Sequence, residues 1–131
     1  MDGIDTRIES SANIVVIDDD CDSLDYLTTL LARKGIHCVA FCDPTAALNY
    51  IRAHAVSVVV TDIFMPDVDG VELITAIGKC RPETAVIALS GYPQSYLRCM
   101  KMLGAVAGMA KPVDPAALVS AVGGCLAGAV A

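Results

Sequence analysis

Ile14-Val15-Val16-Ile17-Asp18-Asp19-Asp20 is a short β-branched run that ends abruptly in acids. A strand buried on both faces in a parallel sheet reads this way, as continuous apolar residues without the alternation of a half-exposed strand. The pattern recurs downstream. Residues 56–61 run into Asp62, 85–89 into Ser90-Gly91, and 105–110 into Lys111-Pro112. Strand-like segments that deliver carboxylates, a hydroxyl and an ammonium at the same end are hard to explain by packing alone.

Between these runs lie stretches at helical spacing. Residues 22–34 carry Leu24, Leu27 and Leu31 on one face, with Asp22 as the expected N-cap and Gly35 as the stop. Residues 36–41 are expected as the second strand, and Asp43-Pro44 opens a helix to about 54. Asp69-Gly70 opens the next, to about 80, with Asp69 and Glu72 at capping-box spacing. Pro93 suits the first turn of a helix to about 103, and Asp114-Pro115 starts the last one, which Gly123-Gly124 weakens. Five βα units in a row predict an α/β fold, a doubly wound five-stranded parallel sheet with helices on both faces; the order 2-1-3-4-5 is that of known flavodoxin-like sheets and is not fixed by the pattern itself. Residues 1–12 are expected as a short polar tail and 13–128 as one domain.

Bulk properties narrow the function. At 131 residues, 55% hydrophobic and 18% charged, the chain can build a core without staples. A net charge of −6 and no basic stripe argue against direct nucleic-acid binding. The six cysteines have irregular spacing without Cys-x-x-Cys, and the first residues lack a signal-peptide pattern, so reduced thiols in the cytoplasm are expected. His37, Cys38 and Cys42 complete no zinc-like set. The uncharged stretch from Pro115 onward is Ala- and Gly-rich and slightly short for a membrane span, and reads as the final helix.

In the order 2-1-3-4-5, ligands gather at the carboxyl ends of the strands. Strands 1, 3, 4 and 5 there carry Asp18-Asp19, Asp62, Ser90 and Lys111. Crowded carboxylates repel one another and call for cations. Lys111 supplies one charge, and a hard divalent ion such as Mg²⁺ supplies the rest. Asp62, between metal and Lys, is placed to attack phosphorus, while the ion, Lys111 and Ser90 stabilise the transferring oxygens. Asp20, Asp22, Asp43 and Asp114 read instead as caps or solvated residues.

Asp18-Asp19 after the first strand, Asp62 with Met65-Pro66 and Asp69-Gly70, Ser90-Gly91, and Lys111-Pro112 together resemble the receiver domain of bacterial response regulators, the CheY-like modules of two-component signalling. The resemblance covers about residues 12–127. It implies that Asp19 binds Mg²⁺ directly and Asp18 through water, that Asp62 accepts phosphate, and that the Phe64 carbonyl completes the metal shell. Ser90 and Lys111 would contact the phosphoryl group, and the Lys111–Pro112 peptide would be cis. The implied phosphate source is a histidine kinase or histidine phosphotransfer protein. The implied output is a helix 4/strand 5/helix 5 surface that binds a partner protein, an attached output module or, on phosphorylation, a second copy. The implied chemistry is limited to forming and losing the chain's own aspartyl phosphate.

The chain also departs from that family. Gly108 stands where receivers commonly carry a Tyr or Phe, three residues before the Lys, so no ring can swing inward there; Tyr92, in the neighbouring loop, is the candidate to replace it. Phe64 and Tyr92 flank the expected path of hydrolytic water, and neither is a carboxylate or amide, which implies slow self-dephosphorylation. The last helix lacks the charges that often pair across a dimer: either its Leu, Val and Ala take cover against a partner, the favoured reading, or the helix is simply Ala-rich and monomeric. Two other classes compete. An Asp-nucleophile phosphatase or phosphotransferase uses similar groups, but its usual Asp-x-Asp-x-Thr/Val motif is broken in Asp18-Asp19-Asp20-Cys21-Asp22 and no inserted cap is present. A receiver fold used for binding alone would not need the full polar set.

Overall fold

A computed structural model describes residues 13–65, 69–91 and 94–130. Its elements alternate as β1 (Ile14–Ile17), α1 (Cys21–Ala32), β2 (Val39–Phe41), α2 (Pro44–Ala53), β3 (Val58–Asp62), α3 (Gly70–Cys80), β4 (Ala85–Ser90), α4 (Gln94–Met102), β5 (Ala107–Ala110) and α5 (Pro115–Val130). The strands form one parallel sheet in the order β2-β1-β3-β4-β5, as expected.

Strand alternation explains why two layers form rather than one. Ile14, Val16, Val58, Val60, Ile87 and Leu89 point to the side covered by α1 and α5, where they meet Leu24, Leu27, Leu31, Leu118 and Val122. Val15, Ile17, Val59, Val86 and Ala88 point to the other side, against Ile51 of α2, Leu73, Ile74 and Ile77 of α3, and Met100 of α4. Each central strand is therefore apolar up to its polar C-terminal end, because both of its faces are covered.

Several boundaries differ from expectation. Asp20, not Asp22, caps α1: its carboxylate accepts the Asp22 N–H at 3.1 Å, so the helix already begins at Cys21. β2 starts at Val39 rather than 36, because the Ile36 N–H bonds the Leu31 carbonyl at 3.0 Å and belongs to the exit of α1. β5 starts at Ala107 rather than 105 for the same reason, with the Ala105 N–H on the Met100 carbonyl at 3.0 Å. β5 is also an edge strand, half-buried where a fully buried run was expected.

The expectation for the last helix is corrected. α5 runs through Gly123-Gly124. Leu118 and Val122 are fully buried, and Val119, Ala121, Cys125 and Leu126 pack partly buried on the same layer. The apolar stripe is turned to the sheet, while the outward positions Ala116, Ser120, Gly123, Gly124 and Ala127 are small. Large exposed apolar side chains occur instead at the corner between α4 and β5, as Met102, Leu103 and Val106. Among the described residues, no helix is long and apolar enough to cross a membrane. Residues 1–12, Pro66, Tyr92 and Pro93 lie outside the described residues.

Candidate functional site

The end of β1 is seated by the Asp18 N–H, which donates to the Phe41 carbonyl of β2 at 3.1 Å. Asp18 is fully buried, so both its oxygens need partners. Oδ1 accepts the Asp20 N–H at 3.0 Å and Oδ2 accepts from Lys111 Nζ at 2.8 Å. Asp62, the last residue of β3, is held in the same two-sided way: Oδ1 accepts the Phe64 N–H at 3.0 Å and Oδ2 accepts from Lys111 Nζ at 3.0 Å. Asp19 is exposed beside them. Carboxylate oxygens of Asp18, Asp19 and Asp62 lie within 4.8 Å of one another.

Lys111 comes from the end of β5. Its N–H donates to the Ser90 carbonyl at 2.7 Å, and the peptide that follows, Lys111–Pro112, is cis as the resemblance implied. Burial disfavours the charged ammonium, but hydrogen bonds to Asp18 and Asp62 and their negative charge outweigh it and hold the group above the ordinary lysine range. Three carboxylates and one ammonium leave a formal charge of −2 in the cluster. Hard oxygen donors with that deficit suit a hard divalent cation, which would cancel it.

Ser90 is fully buried at the same end of the sheet, one residue past Leu89, which is in register with Asp62. Phe64 is half-buried and packs on the layer of α2, α3 and α4, with an antiparallel bridge to Asp69. That turn explains Gly70: a Cβ there would lie 2.6 Å from the Ile63 carbonyl oxygen, so the start of α3 can press on the loop after Asp62 only without a side chain. Gly108 is in register with Ala88 in the middle of β5. Asp43 and Asp69 are caps, accepting the Thr45 and Val71 N–H at 3.0 and 2.9 Å. His37, Cys38 and Cys42 form no metal-binding group among the described residues.

One neighbour of the cluster escaped the sequence reading. Ser23 Oγ lies 3.4 Å from Lys111 Nζ. The available signal was its place four residues before Leu27, a polar residue at the head of the buried stripe of α1.

Comparison with known proteins gives the family of the chain. The profile of the response regulator receiver domain matches residues 14–123. The chain is 39% identical over 69 residues to the regulatory protein VanRc of Enterococcus gallinarum, a match covering 53% of this chain and 30% of that protein. It is 32% identical over 115 residues to the DNA-binding transcriptional regulator NtrC of Azospirillum brasilense, covering 86% of this chain and 24% of the relative. It therefore spans about a quarter to a third of the length of these two relatives. Among solved structures, a CheY-like response regulator receiver domain protein from Methanospirillum hungatei superposes with a TM-score of 0.83 at 27% identity, covering 90% of this chain and 95% of that one.

Proposed function

The chain belongs to the response regulator receiver domain family of two-component signalling, and from that premise we propose that Asp62 is its phosphoacceptor, supplied by a histidine kinase or a histidine phosphotransfer protein. One observation carries the reading: a single ammonium, Lys111 Nζ, bridges Asp18 and Asp62 at 2.8 and 3.0 Å, within a three-carboxylate cluster. Asp18, Asp19 and Asp62, with the Phe64 carbonyl, would hold Mg²⁺. When bound, that ion neutralises the acids and draws charge from phosphoryl oxygens. The Asp62 carboxylate is the nucleophile. Lys111 exchanges its contact with Asp62 for a phosphoryl oxygen, and the Ser90 hydroxyl donates to another.

The chemistry is confined to forming and losing this aspartyl phosphate. The new charge biases the surface of α4, β5 and α5 towards a downstream partner, an attached output module or a second copy. With Gly108 in β5, the bias travels through Ser90 and the loop ahead of α4 rather than through a ring. The protein works in the cytoplasm without its own contact to nucleic acid or membrane. Phe64 offers hydrolytic water no orienting carboxylate or amide, so the phosphoryl group is long-lived, and Phe64→Asn shortens its lifetime.

The deciding experiment is intact-mass measurement after incubation with acetyl phosphate and Mg²⁺. The wild type gains one phosphoryl group and Asp62→Asn gains none. An unmodified wild type overturns the proposal, and turnover of the donor without accumulation points instead to an Asp-nucleophile phosphatase.

A further inference from the structure

We propose that Ser23 is a positioning residue for Lys111: the neutral third anchor of an ammonium that must change partners when Asp62 takes phosphorus. The inference rests on the reading of Asp62 as phosphoacceptor. An ammonium has three N–H donors. Asp18 Oδ2 at 2.8 Å, Asp62 Oδ2 at 3.0 Å and Ser23 Oγ at 3.4 Å surround Nζ. Ser23 is carried there because α1 begins directly after the acids, capped by Asp20, and its first turn brings Ser23 onto the face that Leu27 and Leu31 bury.

The transfer step makes the third anchor useful. With acetyl phosphate, an Asp62 oxygen bonds phosphorus while the bond between phosphorus and the acetate oxygen breaks, its electron pair leaving on acetate; no proton moves. The Lys111 N–H that faced Asp62 is then free to meet a phosphoryl oxygen. Two contacts outlast that exchange, those to Asp18 and Ser23. Asp18 alone fixes a distance: its other oxygen is tied to the Asp20 N–H at 3.0 Å, and the ammonium can still pivot on the remaining contact. Ser23 supplies a second fixed point and so a direction.

Its neutrality matters as much as its position. With a hydroxyl here the formal charge of the cluster stays at −2, matched to a divalent cation. A carboxylate in its place would take Lys111 for itself and deepen the repulsion among the acids.

The test compares the full chain as wild type, Ser23→Ala, Ser23→Thr and Ser23→Asp. Three quantities are read: the phosphorylation rate at saturating acetyl phosphate and Mg²⁺, the acetyl phosphate concentration giving half that rate, and the melting temperature. Because 3.4 Å is a long contact, Ser23→Ala should slow the saturated rate by about threefold, leaving the other two quantities unchanged. Ser23→Thr should restore the rate, and Ser23→Asp should slow it by about tenfold or more. A wild-type rate in Ser23→Ala, a change in its melting temperature instead of its rate, or no rescue by Ser23→Thr overturns the role of Ser23. A wild type that takes up no phosphate sinks the reading of Asp62 itself, which is a separate result.

Discussion

β3 and β5 both end in a charged residue of the site, yet they are built differently. β3 lies between β1 and β4, and all its residues are buried. β5 lies at the edge, is half-buried to exposed, and adjoins a corner where Met102 and Val106 are 87% and 52% exposed. Asp62 therefore stands on a strand clamped from both sides and both faces, whereas Lys111 leaves one that is paired on a single side and only half-buried. Local stability follows the density of buried contacts, so the acid is the fixed member of the pair and the base the movable one. That division suits a site where one group must receive phosphorus in a constant place and the other must change partners.

The largest effects should come from breaking the contrast in packing. Ile17→Ala, in central β1, removes a fully buried side chain and should cost about 4 kcal/mol, whereas Met109→Ala in β5 should cost about 1 kcal/mol or less. Urea unfolding of the two variants checks this, and equal losses would erase the distinction between centre and edge. Next in size is the charge that joins the strands. Lys111→Met leaves Asp18 and Asp62 without their cation and should cost about 3 kcal/mol in the absence of divalent ions. Added Mg²⁺ should restore part of that stability by binding the folded state alone. A variant as stable as wild type without Mg²⁺ would mean the bridge contributes little.

A smaller loss is expected beneath the fixed acid. Gly70→Ala forces a Cβ to within 2.6 Å of the Ile63 carbonyl oxygen, and backbone cannot yield as a flexible side chain can. About 2 kcal/mol of destabilisation should result, measured by urea unfolding, together with slower phosphorylation because the loop after Asp62 must shift. Loss of stability with an unchanged rate would separate the α3 contact from the site.

The same contrast decides what was legible beforehand. Asp18, Asp62 and Lys111 could be read because each ends an apolar run, and strand ends converge in this topology. The parallel sheet and its two helical layers followed from alternating runs, whereas the strand order came from known folds of this kind. Strand starts were missed where a helix exit captured the first residues by a backbone bond, as at Ile36 and Ala105, which composition does not reveal. Asp20 was read only as a cap or solvated acid, and Asp22 was expected to cap the first helix, because the two sit among like acids and only the one-residue earlier helix start distinguishes them. The inward side of α5 was unreadable since the helix has no charged face to mark the outside. Ser23 meets Lys111 across 88 residues of chain, a contact that exists only once α1 and the end of β5 share the site.

The smallest effect concerns the opposite edge, just ahead of β2. Burial pushes the Cys38 thiol from its ordinary 9.0 up to about 11, with the side chain packed partly against the layer of α1 and α5. A raised value in the folded chain means the folded state keeps the proton longer than the unfolded one. The associated stability is thus fully present below about pH 9 and is lost as pH rises towards 11. Lys111, also raised, loses its contribution in the same direction at alkaline pH. The difference between wild type and Cys38→Ala isolates the thiol: the gap in melting temperature should narrow or reverse against the wild type as pH is raised through that window. Because Cys38 is only partly buried, water screens much of the effect, and the change should be smaller than any of those above. Parallel melting curves across that range would mean the thiolate finds solvent as readily in the folded chain, making this edge as open as the one at β5.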